Sequence, residues 1–129
     1  MSNTLTATGQ GMLLDWMFDT SSVTRPTTWF VALHVGANGG DGSTNELSGN
    51  GYARQSVTFS RSGNTVTNTA VLTFGPNTTT NWGTVTDITI WTASSGGTCL
   101  AQGTATASVT YSVGDSATIA IAAESISIT

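Results

Sequence analysis

From Tyr52 onward the chain is never far from a turn signal, and the residues between those signals alternate in polarity. Val57 and Phe59 share one face of an extended segment, as do Ala70, Leu72 and Phe74, and later Val109, Tyr111 and Val113. Between them lie Arg61-Ser62-Gly63-Asn64-Thr65, Gly75-Pro76-Asn77, Ala93-Ser94-Ser95-Gly96-Gly97 and Val113-Gly114-Asp115-Ser116. Short period-2 segments with turns every ~8–12 residues do not leave room for helices and predict an antiparallel β-sandwich of jelly-roll type. Ser62-Gly63-Asn64 is expected at the tip of a hairpin. Val85 is out of phase with Ile88 and Ile90, which predicts a bulge near Thr86-Asp87. The last two strands are expected around Ile119-Ile121 and Ile126-Ile128, broken at Ala123-Glu124.

Upstream of Tyr52 the pattern changes. Met12 to Phe18 is the one helix candidate, with Met12, Leu13, Trp16 and Met17 at helical neighbour spacing and Leu14 and Phe18 widening the stripe. So short a helix must pack on something, either the end of the β core or another subunit. Residues 1–8 are polar and threonine-rich and are expected as an N-terminal arm, with residues 9–129 as a single β-sandwich domain. Arg25-Pro26 leads into the densest apolar strand, Trp29 to Val35. A glycine-studded loop follows from Gly36 to Gly51, with Leu47 as its only large apolar residue and so its expected tether to the body.

Charge narrows the function. Only 8 % of the 129 residues are charged, there is no lysine, and the cations are Arg25, Arg54 and Arg61 against seven acids, for a net charge of -4. Three dispersed arginines cannot neutralise a run of phosphates, so nucleic-acid binding is excluded, and so is a polybasic membrane contact. The first residues lack the basic and apolar regions of a signal peptide, and no apolar run approaches the ~18 residues of a membrane span. The expectation is a soluble chain made in a cytoplasm. Cys99 is the single cysteine, so no intrachain disulfide forms.

The residues that usually carry chemistry do not assemble on paper. His34 is the one histidine and sits mid-strand, where packing is the ordinary role, and His34 with Cys99 falls short of a zinc ligand set. Asn38, Asp41, Asn45 and Glu46 offer hard oxygens within one loop, but their spacing does not match the EF-hand pattern. Gly36-Ala37-Asn38-Gly39 lacks the lysine and the helix of a phosphate cradle. Trp82, Trp91 and Tyr52 are candidate sugar platforms, although such rings more often serve core or interface. No enzyme activity and no cofactor are expected.

Several segments together resemble a family of small tailed-bacteriophage virion proteins, often labelled tail fibre proteins, some of them similar to capsid decoration or cement proteins. They are Trp29-Phe30-Val31-Ala32-Leu33-His34, Gly49-Asn50-Gly51-Tyr52-Ala53-Arg54-Gln55, Thr67 to Phe74, Trp82-Gly83-Thr84-Val85-Thr86 and Val113-Gly114-Asp115. The resemblance implies a β-sandwich virion component, a homotrimer without catalysis. The reading it favours is a decoration protein on the capsid exterior, bridging capsomers with the major capsid protein as partner. The alternative is a tail-fibre or receptor-binding module. The residues expected at the interface are Ser2, Asn3 and Thr4 of the arm, Asn38, Asp41, Asn45 and Glu46 of the loop, and Tyr52 and Arg54 after it.

Overall fold

The structure, a computed structural model, describes residues 1–128. In chain order the elements are β1 (Ser2–Leu5), α1 (Ala7–Phe18), β2 (Trp29–His34), β3 (Gln55–Val57), β4 (Phe59–Ser62), β5 (Thr65–Asn68), β6 (Leu72–Phe74), β7 (Gly83–Trp91), β8 (Cys99–Tyr111), β9 (Ala117–Ile119) and β10 (Ser125–Ser127). The chain is all-β with one short helix, as its alternation requires. Its strands divide unevenly, into an eight-stranded sheet in the order β3-β2-β7-β8-β1-β10-β5-β4 and a two-stranded ribbon of β6 and β9. Every pairing is antiparallel except β1 with β10, which run parallel.

That exception corrects the expectation of a free arm. Ser2–Leu5 is an inner strand, with Asn3 opposite Gly103 of β8 on one side and Ile126 of β10 on the other. Its serine, asparagine and threonine looked like loose polar chain, but both edges of β1 are paired, so its backbone groups are satisfied by neighbours distant in sequence. Gly103 has no side chain, and a Cβ there would lie 2.6 Å from the Ser2 carbonyl oxygen. The sheet is therefore closed tightly around β1.

The helix is longer than the apolar stripe suggested, because a cap places its start further upstream. Thr6 is the N-cap: its Oγ1 accepts from the Gly9 amide at 3.0 Å and donates to the Cys99 carbonyl at 2.7 Å. Such a cap contributes about 1 kcal/mol, and here it also ties the helix to β8. Gly9 is the one buried residue of α1.

The core lies between the central strands and the ribbon. Val31 and Leu33 of β2, Ile88 and Ile90 of β7, and Ala101 of β8 share one side with Phe74 and Leu72 of β6 and Ile119 of β9. The expected bulge is present as a register shift between Val85 and Asp87, where the β8 partner jumps from Val109 to Thr104. The expected hairpin tip is a two-residue connection, Gly63-Asn64, between paired Ser62 and Thr65, with Gly63 at φ 60°.

Candidate functional site

The opposite side of the central strands is polar, and the glycine-rich loop folds over it. Strand alternation places His34, Asp87, Thr89 and Gln102 on this side. His34 is fully buried, with Nδ1 2.7 Å from the Thr44 carbonyl and Nε2 2.7 Å from Thr89 Oγ1. Asn38 is also buried, and its amide and Nδ2 both donate to Asp87 Oδ2, at 3.1 and 2.8 Å. Leu47 is the expected tether, its amide donating to the Leu33 carbonyl at 3.0 Å. Gly42, at φ 78°, lets the loop backbone rest on β strands beneath: a Cβ there would lie 2.7 Å from Trp91 Cζ2 and 2.9 Å from Cys99 Sγ. Part of the loop is thus committed to holding its shape, while Asp41, Ser43, Thr44 and Asn45 stay exposed.

Glu46, Tyr52 and Arg54, expected at an interface, are brought together in a single internal cluster. Arg54 Nε and Nη2 donate to the two Glu46 oxygens at 2.7 and 2.8 Å, a bidentate pair. Arg54 Nη1 donates to the carbonyls of Ala93 and Gly96, and its Cζ lies 3.9 Å from the centroid of Trp91. Tyr52 donates its hydroxyl hydrogen to Glu46 Oε1 at 3.0 Å and accepts from the Leu33 amide at 3.1 Å. Burial acts to raise the Glu46 carboxyl, but the Arg54 hydrogen bond and charge outweigh it and hold the pKa below the usual value. Burial pushes the Tyr52 hydroxyl up. The arrangement keeps Glu46 ionised and Tyr52 neutral, which suits a permanent ion pair. Cys99 beside it is buried and its thiol is pushed up to about 11 by burial, so it packs as an apolar group.

The remaining expected residues divide by strand face. Asn3 is buried and donates from Nδ2 to Glu124 Oε2 at 2.6 Å, whereas Ser2 and Thr4 are exposed. Thr4 is joined to the loop through one side chain: Gln102 Nε2 donates to Thr4 Oγ1 at 3.3 Å, and Gln102 Oε1 accepts from Asn38 Nδ2 at 3.2 Å. Asp41 and Asn45 are exposed on the loop. Hydrogen bonds from Ser43 hold the Asp41 carboxyl below its ordinary pKa, while Asn45, at φ 61°, donates to the Ala37 carbonyl at 2.8 Å. Among the described residues no group of three His, Cys, Asp or Glu side chains comes together in a way that could hold a metal ion. Of the three rings weighed as sugar platforms, Trp82 is buried, Trp91 lies under Arg54 and Tyr52 stacks on Phe74.

A different surface carries exposed apolar side chains of the helix. Between α1 and the sheet runs a groove of about 710 Å³, lined by Leu5, Met12, Trp16, Trp29, Phe59 and Ile126 among others. Arg25 and Arg61, two of the chain's three cations, also line it, together with Pro26. Trp16 is 63 % exposed, and Leu14, Met17 and Phe18 on the outer side of the helix are 58 %, 54 % and 80 % exposed. Sequence reasoning left this groove unassigned because Phe59, Val66 and Ile126 read as ordinary inward strand positions. The available signal was α1 itself, apolar on too many sides to be covered by one sheet.

Two segments of the resemblance, Gly49 to Gln55 and Trp82 to Thr86, meet in space. Trp82 Nε1 donates to the Asn50 carbonyl at 3.1 Å, and the Trp82 and Tyr52 rings make an edge-to-face contact at 6.1 Å. Gly51, at φ 83°, approaches Pro76 so closely that a Cβ would lie 2.2 Å from its carbonyl oxygen. These motifs thus encode the junction of the loop, the ribbon and β7. No curated protein matches the chain. A family model, described as podophage GP4 fiber I protein gp80, matches residues 2–129. A match of that extent takes in both sides of the Trp82–Tyr52 junction, and the chain belongs to the podophage GP4 fiber I protein gp80 family of tailed-phage virion proteins.

Proposed function

We propose that this phage virion structural protein is a non-enzymatic building block of the fibre, assembled as a homotrimer. The observation that carries the reading is the family match along residues 2–129, whose description names a fibre protein. The locked loop supports it physically. A segment held by Asn38–Asp87, His34–Thr44 and Glu46–Arg54 keeps its exposed Asp41, Ser43, Thr44 and Asn45 in fixed positions, so contacts there cost little ordering entropy. The same loop supports a second reading, decoration of the capsid exterior with the major capsid protein as partner. There, many small polar contacts would add through multivalency. That reading no longer has a free arm at residues 1–8 to act as a staple.

Gold-labelled antibody against the chain, applied to intact virions, tests both. Label on the fibres is the expected result; label over the head with bare fibres would move the chain to the shell. Binding of the purified chain to empty expanded capsids, with a rise in their melting temperature, would also overturn the fibre reading.

A further inference from the structure

We infer that the groove between α1 and the sheet is a contact between copies of this chain, and that it receives the outer face of α1 from a neighbour. Such a contact suits a fibre and a shell alike.

Gly9, Met12, Leu13 and Trp16 fall at i, i+3, i+4 and i+7, which puts them on one face, towards the groove. Leu14, Met17 and Phe18 fall at i, i+3 and i+4 and form a second apolar stripe on the far side, in water. A helix apolar on both faces is stable only when both are covered, and this sheet covers one. Leu14, Met17 and Phe18 together leave a patch of roughly 400 Å² exposed, in the ~300–600 Å² range of the largest patch on a monomer's surface, which is often functional.

Charge selects the occupant. The outer stripe is bordered by Asp15 and followed by Asp19 at the C-cap, and α1 has no basic residue in its last turn. The groove is lined by Arg25 and Arg61, while the remaining cation, Arg54, is committed to Glu46. A chain with three cations has therefore placed two of them along this apolar groove, opposite in sign to the knob that the same chain exposes. An acid-bordered apolar helix face fits an arginine-lined apolar groove, and both are on this molecule. The two surfaces are unlike, so the contact is heterologous and can pass from copy to copy until a ring closes. Exposed arginine and aspartate pairs set register and partner choice, and the buried Phe18 and Met17 supply most of the association.

Light scattering and sedimentation of the purified chain across micromolar concentrations test this. The wild type should associate. Phe18→Asp on the knob and Arg61→Glu on the groove should each weaken association by at least tenfold while keeping the wild-type circular dichroism. Mixing these two variants should restore a one-to-one complex, because one retains the groove and the other the knob. A monomeric wild type at ~100 µM overturns the inference. So does a trimer whose mass is unchanged in Phe18→Asp, which would leave the trimeric reading standing through another surface. If one variant fails to fold, the other alone decides: unchanged association in it sinks the proposal. Monomers that instead bind virions through this groove would assign it to a different virion protein.

Discussion

Arg54 lies over the face of Trp91, its guanidinium carbon 3.9 Å from the ring centroid, while the same group forms a bidentate pair with Glu46. One side chain thus clamps the end of the glycine-rich loop, the β7 indole and the turn carbonyls of Ala93 and Gly96. Replacing it leaves Glu46 half-buried without its cation, so Arg54→Ala should cost about 2–4 kcal/mol in urea unfolding. Arg54→Lys should recover little of this, because an ammonium cannot supply the fork.

Two glycines of the same helix should respond in opposite senses. A Cβ on Gly9 would meet the Leu100 carbonyl oxygen at 2.3 Å, whereas Gly11 has nothing within 4 Å. Gly11→Ala should therefore raise stability by up to about 1 kcal/mol through helix propensity. Gly9→Ala should lower it by about 1–3 kcal/mol, since α1 must lift from β8. Thermal melts of the two variants side by side check the contrast.

Glu124 should make the fold acid-tolerant. It is fully buried, and burial raises its pKa from 4.5 to about 6 against the opposing effects of Asn3 and the N-terminal charge. A carboxyl raised in the fold favours folding while protonated. Its contribution is complete below about pH 4.5 and is lost as pH rises through about 6, a change of about 2 kcal/mol. Urea midpoints measured from pH 4 to 7 should fall across that window, and Glu124→Gln should flatten the slope. A slope that persists in Glu124→Gln would assign it to another group.

Removing residues 1–5 should abolish cooperative folding. The deletion strips β8 and β10 of a shared neighbour and leaves Glu124 buried without the Asn3 amide. Far-ultraviolet circular dichroism and sedimentation of the truncated chain should show loss of structure and aggregation. A folded, monomeric product would overturn the role given to β1.

The strands, the hairpin at Gly63-Asn64 and the bulge before Asp87 were legible because each is written in local alternation and turn chemistry. The place of β1 was not. Ser2-Asn3-Thr4-Leu5 carries no alternation long enough to read, and its role is fixed by Gly103 and Ile126, which local patterns cannot connect to it. The loop residues Asn38 and Glu46, with Arg54 just after the loop, were legible as a set with special chemistry, but not in direction. Their polar groups turn inward to Asp87, Trp91 and one another, and sequence alone does not say which way an asparagine points. The apolar groove was hidden because it is shared by seven strands and a helix, none of which contributes more than a few residues.

The parallel pairing of β1 with β10 sets an order of events. The strand that comes first in the chain acquires one neighbour from β8 and the other only when β10 is present. Contacts so distant in sequence make folding slow, and the unfinished sheet offers open edges to other chains while it waits. Until β10 docks, that edge of β1 stays open to any neighbouring chain.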